Sequence, residues 1–406
     1  MFKNFKLSLF LALKTMLRGD KGSLILTIMI MMVVFLNLLF IDSIFAGVAV
    51  TMDNGKINYQ YGEVIIEPST TEKYINDTKK IIDKIEDFYY VRNITARLKT
   101  GANLSYDKNK DGRDVNTFSA GVIGINPDID NEAIDIKSKM LAGRYLNNRD
   151  RNEILLGADV AGGYGSSVFP NSLEGAGIGD VITVTYNNGI VKDYKIVGLY
   201  KTKNFDTDSK MIVTRKELNS ILGTTNESSE IIIRLTDRNL SQKAIADLKK
   251  FGFGKHDISD WDEKLAFGRS INKSFDMIGM ILRVIGSLVA GLVIFIIIFV
   301  DIVNRRKQIG ILKAIGIPTV VIKNSYIIRG MFYTVVGMTL GYLLMQFGVI
   351  GFFQGHPIDF PMGDMVPFIK KESLRMSIEL FILAGFIGSF LPAVKEVRRK
   401  ILTLMR

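Results

Sequence analysis

Few side chains in this sequence are placed for covalent or metal chemistry. Cysteine is absent, so no disulfide, thiolate metal site or cysteine nucleophile can form. His256 and His356 are the only histidines and stand far apart, which excludes a histidine-rich metal site. The run Asp107-Lys108-Asn109-Lys110-Asp111-Gly112 opens like a calcium loop, with oxygen ligands at alternate positions and glycine sixth. Its twelfth position, where a bidentate glutamate closes such loops, is Phe118, so a solvated Asp-Gly turn is the better reading and no metal is expected. Glycines are dense from Gly157 to Gly179, yet G-x-x-x-x-G-K-[ST], whose backbone cradle and lysine hold nucleotide phosphates, is nowhere in the chain. The chain is not expected to bind ATP by that motif, and no catalytic residue is assigned.

The most informative stretch is Asp301-Ile302-Val303-Asn304-Arg305-Arg306-Lys307-Gln308-Ile309-Gly310-Ile311-Leu312-Lys313-Ala314-Ile315-Gly316. Ile309, Ile311, Leu312 and Ile315 are expected to share one side of a short helix lying under a membrane, with basic residues flanking it and Gly316-Ile317-Pro318 stopping it. Such a helix offers a compact knob to a cytoplasmic partner. A basic topology loop with the same amphipathic spacing is the competing reading.

The elements that must position this knob are membrane helices. The chain has 406 residues, 48% of them hydrophobic, and the apolar excess is concentrated in four stretches. These run from about Ser23 to Val50, Met277 to Val303, Tyr326 to Phe353 and Ser377 to Val397. Each has the roughly 20 apolar helical residues that span a bilayer core. The third and fourth carry Gly330, Gly337, Gly341, Gly348, Gly385 and Gly388, which permit close helix approach in lipid. The net charge of +11 is explained by lysines and arginines beside these stretches, not by a basic face for nucleic acid. Lys3, Lys6, Lys14, Arg18 and Lys21 precede the first, Arg305, Arg306, Lys307, Lys313 and Lys323 separate the second and third, and Lys395, Arg398, Arg399, Lys400 and Arg406 follow the fourth. By the positive-inside rule all three groups lie in the cytoplasm. The first stretch is too long for a cleaved signal peptide.

The resulting plan is an amphipathic N-terminal segment 1–22, spans at 23–50, 273–303, 325–353 and 377–397, a cytoplasmic loop 304–324, an outer loop 354–376, a tail 398–406, and a large outside domain 51–272. Its fold class is four transmembrane helices plus an α/β extracytoplasmic domain of two subdomains inserted between the first and second spans. In that domain Tyr61 to Pro68 reads as a strand, followed by a helix whose apolar face includes Tyr74, Ile75, Ile81, Ile82 and Ile85. Further strands are expected at 91–99, 117–125, 181–187, 190–200, 210–214 and 230–235, and a helix at 241–250. Asn187-Asn188-Gly189 is a hairpin turn signal.

The run Gln308 to Gly316 resembles the coupling segment E-I-G-[IL]-[LR]-[KR]-A-[LI]-G of the MacB/FtsX/Lol type of ABC permease, with Gln308 in place of the glutamate. Gly121 to Pro127, Leu141 to Leu146 and Glu153 to Gly157 resemble the start of that family's periplasmic core domain. Gly177 to Ile182, Val197 to Tyr200 and Phe205 to Asp208 resemble its second half, and Leu391-Pro392-Ala393 its closing element. Two features depart from the pattern. The tail from Lys400 to Arg406 lacks the usual proline, and Arg329-Gly330 stands where many members carry a glutamate. Ile258-Ser259-Asp260-Trp261, leading into the second span, is similar to the lipoprotein-releasing LolC/LolE type, although Trp261 serves equally as an interfacial anchor.

The resemblance implies a non-catalytic inner-membrane permease with both termini cytoplasmic. Residues Arg305, Arg306, Lys307, Gln308, Ile309, Gly310, Ile311, Leu312, Lys313, Ala314, Ile315 and Gly316 would couple it to an ATPase subunit, present in two copies, that binds the ATP and magnesium. A second permease chain, identical or paralogous, and membrane lipid would complete the assembly, with no nucleic acid. The second span, continued upward from about Trp261 and downward into the knob, would act as one rigid lever. Asn37, Asp42, Asp276, Arg283, Arg329 and Glu379 are expected to snorkel or pair between helices, not to line a conventional path. If the cargo is a lipoprotein, Phe40, Phe45 and Met280 are the candidate acyl-chain contacts. MacB-like tripartite export, FtsX-like signalling to a cell-wall hydrolase and a membrane-anchored sensor without an ATPase share the architecture.

Overall fold

The computed structural model describes residues 2–18, 21–164, 172–264, 266–361 and 363–397. It divides into two compact units, one of residues 1–50, 271–358 and 364–406, the other of 51–270 with 359–363. The tail 398–406 expected in the cytoplasm lies outside the described residues.

In the first unit, four of the described helices are long and apolar enough to cross a membrane. Helix α1 covers Phe2–Arg18 and α2 Lys21–Lys56. Helix α3 covers Ala266–Asn304, α4 Arg306–Ala314, α5 Thr319–Leu343 and α6 Lys371–Val397. The path of α5 continues through a π-helical stretch, Leu344–Val349, to Gly355. Small residues set how closely these helices pack. A Cβ on Gly337 would stand 2.5 Å from Met31 Cβ, and one on Gly341 would stand 2.8 Å from the Met32 carbonyl oxygen, so α5 presses directly on α2. Gly330 and Gly385 make equally close approaches to Ser389 and Thr334, which brings α5 and α6 together. Among the described residues, a Cβ on Gly348 meets only Leu344 of its own helix. Phe35 of α2 packs edge-on against Phe381 of α6 at 4.8 Å, within a core that includes Met31, Ile294, Ile298, Ile302, Tyr326 and Tyr333. The N-terminal segment is the amphipathic helix α1, with Ala12 and Met16 buried and Phe5, Phe10 and Leu17 exposed.

The second unit is built on one sheet. Its strands are β1 Val64–Glu67, β2 Val91–Asp107, β3 Val115–Ile125, β4 Met140–Gly143, β5 Glu153–Gly157, β6 Val181–Tyr186, β7 Val191–Tyr200, β8 Lys210–Thr214, β9 Glu230–Leu235 and β10 Asp257–Asp260. The order is β10-β1-β9-β2-β3-β8-β5-β7-β4, with β6 bridging β2 and β7. Strand β2 has 17 residues, against the shorter strand expected. Its first part, Val91 to Arg97, pairs with β9, while Leu98 to Asp107 pairs with β3. One strand thus carries two cores, one around Val64, Ile66, Ile94 and Ile233, the other around Leu98, Leu104, Val122 and Ile196.

Two helix expectations need correction. Tyr74 and Ile75 precede the first helix, which covers only Thr78–Ile85. Asp77 takes a left-handed conformation (φ 54°), and Ile75 instead makes paired backbone bonds with Ser228. The later helix ends at Leu248 and passes into a π-helical turn, Lys249–Phe253, in which Gly252 has φ 91°. The Asn187-Asn188-Gly189 hairpin is present, with the Gly189 N–H donating to Tyr186 O at 2.9 Å. The Asp107 carboxylate accepts from the Gly112 N–H at 2.8 Å, and Asp111 accepts from the Arg113 N–H at 3.0 Å, which closes the β2–β3 turn on itself.

Burial holds the Lys210 ammonium down at about 8, with the charge of Lys99 adding to the effect. Because the unfolded lysine titrates at 10.5, the unfolded chain binds the proton first as pH falls through 10.5, and stability falls with it. Below about 8 the full cost is present. Lys210→Met is therefore expected to raise stability at pH 7 by about 2–3 kcal/mol and by little above pH 10.5. Trp261 is the only tryptophan and lies in this unit, so its fluorescence during urea unfolding reads the difference.

Candidate coupling site

Helix α3 does not run on into the knob. It ends at Asn304, and Arg305 stands between the helices at φ −107°, ψ 19°, before α4 starts at Arg306. The single downward lever expected from the sequence is therefore broken at Arg305. Helix α4 closes with a left-handed Gly316 (φ 90°), where Ile317 N–H donates to Leu312 O at 3.0 Å and Gly316 N–H to Lys313 O at 3.1 Å. This pair of bonds is the Schellman arrangement, which glycine at that position permits. It explains why Gly316-Ile317-Pro318 stops the helix.

The four apolar residues of α4 do not share a side. Ile309 is 1% exposed and packs with Leu312 against the helix core, whereas Ile311 and Ile315 are 54% and 69% exposed. Positions 309 and 311 differ by about 200° around a helix, and 311 and 315 by about 40°, so the outward pair is Ile311 and Ile315. Lys307, Gln308, Ala314 and Gly316 are exposed with them, Gly310 is buried, and Arg305, Arg306 and Lys313 are half-buried. The outward face is a narrow apolar stripe with a basic edge. Lys313 turns inward, its ammonium donating to the backbone oxygen of Val397 at the end of α6, and burial lowers its pKa.

Above the break, the Asp301 carboxylate is shared. Its Oδ1 accepts from Arg305 Nε at 3.0 Å, and its Oδ2 lies 2.6 Å from Nη1 of Arg329 on α5. The sequence reading assigned no role to Asp301. The signal was present in its opposite charge four residues before Arg305 and in Arg329, a cation inside an apolar span. Other polar groups in the spans also pair. Asp42 and Arg283 form a buried ion pair joining α2 and α3, Lys370 meets Asp276 at 2.7 Å, and Arg375 approaches Glu379 at 3.7 Å. Asn37 is exposed on α2.

The three residues proposed for acyl chains lie on α2 and α3. Phe40 stacks on Phe353 at 6.5 Å, Phe45 faces Phe275 at 5.7 Å, and Met280 stands 48% exposed on α3. In the second unit β10 ends at Asp260, whose carboxylate accepts from Gln242 Nε2 at 2.6 Å and from the Glu263 N–H at 2.8 Å. The Trp261 ring lies 5.3 Å from the Arg238 guanidinium, a cation–π contact.

The segment holding α4 and its flanking spans also carries the family signal: residues 280–400 match the family model described as FtsX-like permease C-terminal. The chain is similar to ABC permeases of the MacB/FtsX type. This permease is 25% identical over 313 residues to a protein of Campylobacter jejuni named macrolide export ATP-binding/permease protein MacB, covering 74% of this chain and 44% of that one. The chain thus spans less than half the length of that relative. It is also 25% identical over 263 residues to the uncharacterized ABC transporter permease MJ1507 of Methanocaldococcus jannaschii, covering 62% and 61%. Among solved structures, the extracellular domain of the noncanonic ABC-type transporter YknZ from Gram-positive bacteria aligns at TM-score 0.33 and 15% identity, covering 48% of the permease and 98% of that chain.

Proposed function

We propose that this permease couples ATP hydrolysis by a separate ATPase subunit, held on the outward stripe of α4, to a conformational change in the domain of residues 51–270. The observation that carries this reading is the division of α4. Ile309 and Leu312 anchor it to the helix core, while Ile311, Ile315 and Lys307 are left exposed for a partner. Two permease chains, identical or paralogous, sit on two ATPase copies. The lysine and arginine bias places α1, α4 and the tail in the cytoplasm and residues 51–270 outside the inner membrane.

For cargo, we propose lipoprotein release, supported by the similarity of Ile258-Ser259-Asp260-Trp261 to the LolC/LolE type. The second reading is export of a small amphiphile in the MacB manner, favoured by the name of the Campylobacter jejuni relative. The first experiment is affinity purification of the full chain from its own membranes in mild detergent, followed by an ATP-hydrolysis assay of what accompanies it. A stoichiometric ATPase with a Walker motif is expected. A chain that purifies without any ATP-hydrolysing subunit would sink the coupling reading. Reconstitution of the complex with an acylated protein then tests cargo; retention of that protein in the membrane on ATP addition would favour export.

A further inference from the structure

We infer that Asp301 is a positioning residue that clamps α4 to both α3 and α5, so that load on the outward stripe moves the three helices as one body. The inference deepens the docking reading of α4 and rests on it for its function, while the clamp itself stands on geometry alone.

A nine-residue helix joined to its span through one non-helical residue is too short to be stable by itself and would swing at that joint. Beside the packing of Ile309 and Leu312, three polar attachments oppose the swing. Arg305, the joint residue, gives its Nε to Asp301 Oδ1 at 3.0 Å, and its backbone N–H reaches the carbonyl oxygens of Asp301 and Ile302, both at 3.2 Å. The other oxygen of the same carboxylate lies 2.6 Å from Arg329 on α5, so one side chain ties the joint to the third span. Arg329 is buried, and Tyr326 one turn earlier lies under its guanidinium at 5.2 Å, which fixes the cation from below. At the far end of α4, Lys313 holds the last turn of α6 through Val397. A buried charge network of this kind adds little net stability, because desolvation offsets the attraction, but it fixes register. The break at Arg305 is thereby a locked joint: α4 stays at one angle to α3, and motion at the stripe is delivered to α5 as well.

The test uses the full chain, which has no cysteine of its own, so spin labels at Gln308→Cys and Val335→Cys report only the α4–α5 distance. One narrow distance is expected in the parent. Asp301→Asn, nearly identical in size, is expected to broaden it, and the transposed pair Asp301→Arg with Arg329→Asp, which puts the carboxylate on α5 between two arginines, to narrow it again. In the complex, Asp301→Asn is expected to keep the ATPase bound yet lower permease-dependent ATP turnover roughly tenfold, with recovery in the transposed pair. An unchanged distance in Asp301→Asn, undiminished turnover, or loss of ATPase binding would each overturn the clamp. Loss of binding would do so because it would make Asp301 part of the docking surface. If the parent recruits no ATPase, the docking reading fails while the distance measurement still decides the clamp.

Discussion

Replacing Ile311 and Ile315 together with glutamate is expected to abolish recruitment of the ATPase subunit while leaving the permease folded in the membrane. Both side chains are more than half exposed, so the free chain has little apolar burial to lose there. In the complex each isoleucine would be buried against the partner. That burial is worth about 1.5–3 kcal/mol per residue, and burying a carboxylate in its place adds a further penalty. Two such losses correspond to about a hundredfold to ten-thousandfold in affinity. Leu312→Glu makes an informative contrast. Leu312 faces the core with Ile309, so that variant is expected to lower the yield of folded permease and to report on packing. The measurement is the affinity of the purified ATPase for the permease in nanodiscs, with the thermal midpoint of each variant as the folding control. Wild-type affinity in the double variant would reject the outward stripe as the docking surface.

That contrast shows where the sequence could and could not be read. The existence of α4 was legible, because Gly316-Ile317-Pro318 is a helix stop and the preceding residues resemble a coupling segment. Its orientation was not. In nine residues with apolar side chains at 309, 311 and 312, two opposite faces are both apolar, and periodicity gives no basis for choosing which one packs. The spans were legible from length and composition, and their glycines from the small-residue rule, since both are local properties. The strand expected at 91–99 stops short of Thr100-Gly101, whereas β2 runs on to Asp107. In the fold Gly101 continues the strand, and a Cβ there would stand 2.7 Å from the amide of Asn187. The glycine marks a close approach by another segment, which no local pattern reveals. The Arg305 half of the Asp301 network has a local signal, opposite charges four residues apart, but its link to Arg329 joins two spans, which patterns along one helix do not report.

The same blindness to long-range pairing conceals the second large effect, which concerns Asp130. Loss of its carboxylate in Asp130→Ala is expected to destabilise the unit of residues 51–270 by about 3–5 kcal/mol. Asp130 is 0% exposed and receives Arg97 through two bonds, Nε to Oδ1 at 2.7 Å and Nη2 to Oδ2 at 2.6 Å. Thr95 Oγ1 adds a third bond at 3.1 Å. Arg97 is itself 1% exposed and lies on β2 at the point where its pairing passes from β9 to β3. Alanine at 130 would therefore strand a cation in the sheet where no water can reach it. The pair Arg97→Met with Asp130→Leu removes both charges and is expected to cost far less, about 1 kcal/mol or below, because burying two ions is itself expensive. Urea unfolding followed by Trp261 fluorescence compares the three proteins on this unit alone, since no other tryptophan is present. A double variant as unstable as Asp130→Ala would show that shape, not charge compensation, is what the pair supplies to the sheet.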